Sequence, residues 1–168
     1  AAEFTLQQLK EHATGITFEP KLDEGLYLVG TGVRKKSIVK VYAVAMYSSP
    51  AVLAAVSRTT LGEAARTFSA TSPATSFLLH MVHSVGAEKI AGAIAESVKL
   101  RYKGSPSDIK SMETLLIDGV NKIGSQAVKG TVIRFDCSAE GVMVSVNGES
   151  QGIARFDGLG SALVDVFT

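Results

Sequence analysis

LVGTGVRKKSIVKVYAVAMY, residues 28–47, holds two apolar runs around a polar turn. The first run is broken by Gly30 and Gly32 and ends at Arg34. The second carries Tyr42 and Tyr47 among valines and alanines. Only 7% of the chain is aromatic, so two tyrosines and an arginine in one segment ask for a reason. Alternation with β-branched residues predicts two strands, 25–36 and 39–49, joined at Lys35-Lys36-Ser37. Two readings follow: Arg34 and Tyr42 are ordinary hairpin residues, or they grip an anion at the mouth of an apolar cavity. The second has a geometric condition. Paired residue numbers in the ladder must sum to an even value, or 34 and 42 fall on opposite faces.

Outward from this hairpin the periodicity changes several times. Pro50 opens a short helical segment, PAVLAAVS. TSFLLHMVHSV, residues 75–85, alternates like a strand, with Phe77, Leu79, Met81 and His83 on one face. Gly86 breaks it. Residues 87–102 follow with helical spacing at Ile90, Ala91, Ile94 and Val98. Residues 105–123 predict a second helix, with Ser105 as N-cap, Pro106 at the first position and a stripe Ile109, Met112, Leu116, Val120. Residues 130–156 give two or three strands, with turns at Ala139-Glu140-Gly141 and Asn147-Gly148. GLGSALVDVF closes the chain as a helix. Strands and helices come in runs, which indicates an α+β fold with helices on one face of an antiparallel sheet.

At 168 residues, 46% apolar and 20% charged, the chain is expected to form one domain, 1–168, with a sizeable core. A net charge of +1 gives no global field for nucleic acid or an anionic membrane. No apolar run reaches the roughly 18 residues of a membrane span. Cys137 is alone, which excludes an internal disulfide and fits a reducing compartment. The chain begins at Ala1 rather than methionine, so a transit peptide removed earlier would not be seen in it.

Chemical motifs are few. GTGVRK lacks the third glycine of a dinucleotide fingerprint, and a strand follows it. His80 and His83 stand three apart in a strand pattern, so they face opposite ways and do not suit one metal ion. Cys137 lies mid-strand without a catalytic signature and reads as a buried thiol. No metal site, cofactor or catalytic group is expected.

GTGVRKKSIVKVYAVAMY resembles the chalcone isomerase superfamily, whose members carry a G-x-G-[VL]-R strand end and then a strand ending in tyrosine. Here these are Gly30-Thr31-Gly32-Val33-Arg34 and the run from Val41 to Tyr47. GAEKIAGAIAESV and ESQGIARFDGLGSALVDVF are similar to the family's later helix and to its final strand and helix. The resemblance implies an open-faced β-sandwich, a large antiparallel sheet under a layer of helices, with a ligand cleft between them.

The family has a catalytic branch and a binding branch. In chalcone-flavanone isomerases a threonine, a tyrosine and an asparagine act with the arginine. Here the corresponding places hold Tyr42, about Gly86 and about Ala93, while Gln151 replaces a late threonine. Only Arg34 survives, and glycine and alanine aim no side-chain donor at a developing charge. The other branch resembles plastid fatty-acid-binding proteins, where arginine and tyrosine hold a carboxylate. The expected function is therefore non-catalytic binding of a free fatty acid, with Arg34 and Tyr42 on the carboxylate. Val44, Met46, Ile90, Ile94 and Val98 are expected along the chain, and Gln151 within the site. The alternatives are an isomerase acting on a flavonoid-like substrate, and a ligand-free structural or partner-regulating member. The resemblance further implies an intracellular, plastid-stromal location, and a monomer is expected.

Overall fold

The computed structural model describes residues 9–22, 25–49 and 75–167. The helical segment expected from Pro50 lies outside them. The strands of the main sheet are β3 (Lys21–Leu22), β4 (Leu26–Lys36), β5 (Val39–Ser48), β6 (Thr75–Met81), β9 (Val132–Ser138), β10 (Gly141–Val146) and β11 (Glu149–Ala154). They pair antiparallel in the order β11-β10-β9-β6-β5-β4-β3. Two small pairs accompany them, β1 (Leu9–Lys10) with β2 (Thr17–Phe18), and β7 (Val85–Gly86) with β8 (Gln126–Ala127). Three helices are described: α1 (Ala87–Lys99), α2 (Pro106–Asn121) and α3 (Leu159–Phe167).

The helices begin for identifiable reasons. Ser105 Oγ accepts from Ser107 N at 3.3 Å and Pro106 occupies the first turn of α2, as the sequence signals. α1 has no side-chain cap; Ala87 N donates to Ser125 O instead, at 3.0 Å.

Alternation along the strands sorts the sheet into two faces. Under the helices run cross-strand rows such as Met46, Phe77, Phe135, Val144 and Val44, Leu79, Ile133, Val146. They meet Ile90, Ile94 and Val98 of α1, Met112 and Leu116 of α2, and Leu163 of α3 in one core. On the opposite face, among the described residues, Leu26, Leu28, Ala43, Ala45 and Tyr47 of β4 and β5 pack with Phe18. Tyr47 belongs to this second core, and its hydroxyl donates to Glu19 O at 2.8 Å. Cys137 is fully buried among the helix-side residues, and burial pushes its thiol well above the ordinary range.

Three local expectations are revised. Lys35 and Lys36 belong to β4, paired with Lys40 and Val39, so the turn is Ser37-Ile38. β6 stops at Met81, because Val82 N and His83 N both donate to Val41 O, at 3.0 and 3.2 Å. His83 therefore stands off the strand rather than continuing the Phe77 face. α1 ends at Lys99 rather than at residue 102, with Arg101 N and Tyr102 N both turned back onto Val98 O.

Candidate ligand-binding site

The site begins with the β4–β5 ladder. From the turn, Lys36 pairs with Val39 and Lys35 with Lys40. Continued regularly, this register would set Arg34 against Val41 and turn Tyr42 to the other face. The ladder instead shifts, Val41 is left unpaired, and Arg34 stands directly opposite Tyr42. Beyond the bulge Gly32 faces Val44 and Gly30 faces Met46, so paired numbers sum to an even value through this stretch. The two N–H groups on Val41 O hold the bulge in place. Its effect is that Val41 and Tyr42, consecutive in sequence, both face the helix side.

That side opens into a cavity of about 830 Å³, within the ~300–1,000 Å³ usual for small-molecule sites. β4 and β5 form one wall, with Gly32, Arg34, Val41, Tyr42 and Val44. Ile90, Ala93, Ile94 and Ser97 of α1 form another, and Val166 and Phe167 of α3 contribute a third. Gly32 carries no side chain toward this space, which recesses the sheet wall. A smaller apolar recess of about 70 Å³ shares Gly32, Val44 and Phe167 and reaches Met46 and Phe77. Phe167 stacks tilted on Phe77 with ring centroids 4.7 Å apart.

The polar groups are unevenly distributed. Tyr42 is only 6% exposed, and among the described residues its hydroxyl has no hydrogen-bond partner. Burial pushes its phenol up to about 12, with the Arg34 guanidinium pulling the other way. The hydroxyl is therefore protonated at neutral pH and free to donate. Arg34 is exposed at the rim. Lys36, Lys89 and Arg101 line the same cavity, with His83, Ser84 and Gln126. No carboxylate is among its described lining residues, and none of the four cations forms a salt bridge with a described residue. Arg101 turns one η-nitrogen to Ser97 O at 2.7 Å. A cavity walled by aliphatic and aromatic groups and rimmed by cations suits an amphiphilic anion.

Of the residues singled out from sequence, Arg34, Tyr42, Val44, Ile90 and Ile94 share the main cavity, and Met46 lines the recess. Val98 is fully buried in the core. Gln151 lies elsewhere: it is the unpaired residue of a bulge in β11, its Oε1 accepts from Lys122 Nζ at 2.7 Å, and its stem lies against Gly119 of α2. Gly86 and Ala93, the places matching the isomerase tyrosine and asparagine, both line the cavity. Sequence reasoning missed Lys36, Lys89, Arg101 and Phe167. The signal for two of them was present, since Lys89, Ala93, Ser97 and Arg101 recur every fourth residue beside Ile90 and Ile94.

Comparison with known proteins gives this geometry a context. A family model described as chalcone isomerase-like matches residues 12–167. The fold is similar to the crystal structure of an Arabidopsis thaliana fatty-acid binding protein, AtFAP1, with a TM-score of 0.74 and 19% identity. The similarity covers 96% of this chain and 88% of that one. No curated protein sequence matches.

Proposed function

Because the chain belongs to the chalcone isomerase-like family, we propose that it uses this cavity to bind a free fatty acid, or a similar apolar carboxylate, without transforming it. The observation that carries the reading is the Arg34–Tyr42 pair: a buried phenol with no described partner, set across from a guanidinium, at the head of an apolar space. A guanidinium presents a planar fork that matches a carboxylate, and the phenol adds one short hydrogen bond. Lys36, Lys89 and Arg101 add to the favourable field for an anion. The likeness to a structure described as a fatty-acid binding protein supports the same reading.

Energetics are compatible with useful affinity. Burying about ten methylenes at ~0.8 kcal/mol each contributes about 8 kcal/mol before the costs of association. Head-group contacts offset part of those costs, so affinity in the micromolar range or somewhat tighter is expected. Isomerase chemistry is not favoured. Gly86 and Ala93 line the cavity but bring no side-chain donor to a developing oxyanion.

The reading is tested by releasing ligand from the purified protein for mass spectrometry and by titrating a laurate-to-stearate series. Fatty acids in the released fraction and saturable binding support it. An empty protein that binds no acid in the series contradicts it. So does chalcone cyclisation at ordinary enzyme rates, on the order of 1 per second or more.

A further inference from the structure

We propose that the tip of the β4–β5 hairpin docks on an anionic lipid surface, and that the cavity exchanges its ligand there. The inference rests on the reading of the cavity as an acyl-chain site. Ile38, in the turn, is the most exposed large hydrophobic side chain among the described residues, at 91%. Next to it Val39, 43% exposed, is also part of the cavity wall, as is Lys36. Lys35, Lys36 and Lys40 surround the pair, all exposed, and residues 35–40 contain no acid. Lys40 Nζ donates to Ala13 O and keeps its charge at the surface. Three cations thus gather on six residues of a chain whose net charge is only +1.

Folding alone gives no reason for this turn. Two-residue hairpin turns favour glycine or asparagine where φ is positive. At this tip Ser37 takes φ 57 and an isoleucine follows, packing on almost nothing. An aliphatic point ringed by lysines matches a bilayer interface. The isoleucine enters the acyl boundary while lysine stems lie along it and the ammonium groups reach lipid phosphates. An acidic protein surface would engage the lysines but gives no use to a bare isoleucine beside the mouth of a lipid-sized cavity.

The test floats the full chain, without fatty acid, on vesicles of phosphatidylcholine containing phosphatidylglycerol and on vesicles of phosphatidylcholine alone. The wild type is expected on the anionic vesicles, less so as salt is raised. Ile38→Ser should weaken that partition roughly tenfold, and Lys35→Gln about fivefold. Ile123→Ser, at a 45% exposed site outside the cavity wall, should change nothing. Absence of wild-type binding to anionic vesicles overturns the proposal. So does an Ile38→Ser variant that binds like wild type while Lys35→Gln is lost, the behaviour of a purely electrostatic patch. Palmitate titration without vesicles separates the two readings. Ile38→Ser should bind palmitate like wild type, whereas a wild type that binds vesicles but no palmitate refutes the cavity reading and not the docking of the tip.

Discussion

The β4–β5 and β10–β11 hairpins follow one pairing plan and end in opposite uses. Each turns in two residues and pairs two residues on either side, Lys36 with Val39 and Lys35 with Lys40, Val146 with Glu149 and Ser145 with Ser150. Each then leaves one residue of its second strand unpaired, Val41 or Gln151, and resumes with an inward-facing pair. In β10–β11 that pair is Val144 and Gly152, and α2 closes over it, with Leu115 beside Gly152 and Gly119 against Gln151. In β4–β5 it is Arg34 and Tyr42, and a cavity lies over it. The turns differ in the same sense. Asn147-Gly148 supplies the residues that positive φ favours, and Asn147 Oδ1 also accepts from Val132 N at 2.9 Å. Ser37-Ile38 does neither. The bulge that makes one inner pair available is thus filled and sealed in one hairpin, and left open with polar groups in the other.

The comparison breaks most visibly if the open hairpin's residue is placed in the closed one. Gly152 has φ 123, and a Cβ there would lie 3.3 Å from Leu115 Cδ2. Gly152→Tyr combines backbone strain with overpacking, each about 1–3 kcal/mol, so denaturant unfolding should show a loss of about 2–6 kcal/mol. Stability within the ordinary scatter of a surface substitution would show that α2 does not seal this pair.

Tyr42→Phe sharpens the contrast from the other side. Its hydroxyl has no described protein partner, so the variant should melt at or above the wild-type temperature. It should nonetheless bind fatty acid more weakly, by roughly 1.5–3 kcal/mol for a lost hydrogen bond to a charged group. Tyr47→Phe should behave in reverse, losing about 1 kcal/mol of stability with its bond to Glu19 O and leaving binding intact. Calorimetry on both variants separates the two tyrosines that the sequence sets only five residues apart.

The smallest effect concerns the turns. Replacing Ser37 and Ile38 by asparagine and glycine copies the β10–β11 turn, and should raise stability by about 0.5–1 kcal/mol in chemical denaturation. A loss of stability would mean that Ser37-Ile38 is structurally required.

Most of the architecture was legible because its signals are local. Ser105-Pro106 announces α2, Asn147-Gly148 announces a hairpin, and alternation in residues 25–48 announces β4 and β5. The rest depends on contacts distant in sequence. The bulge at Val41 is held by N–H groups of Val82 and His83, and the same two bonds take His83 off its strand. The family resemblance puts Gln151 within the site, yet a second bulge and Lys122 fix it against α2. The pairing of Arg34 with Tyr42 could be stated from sequence only as a parity condition, because one unpaired residue decides it.

The central claim is that Arg34 recognises a carboxylate rather than merely finishing a strand, and titration of Arg34→Ala with a fatty acid and its methyl ester tests it most directly. Arg34 is exposed and without a salt bridge to a described residue, so the variant should melt like wild type. Binding of the free acid should weaken by about 1.5–3 kcal/mol, because the carboxylate loses the hydrogen bonds of the guanidinium fork while Lys36, Lys89 and Arg101 still line the cavity. Arg34→Lys should recover part of the loss, since it keeps the charge but not the fork. The methyl ester should bind wild type and Arg34→Ala with little difference. If folded Arg34→Ala binds the free acid as tightly as wild type, the guanidinium does not hold the ligand and the account of the site is wrong.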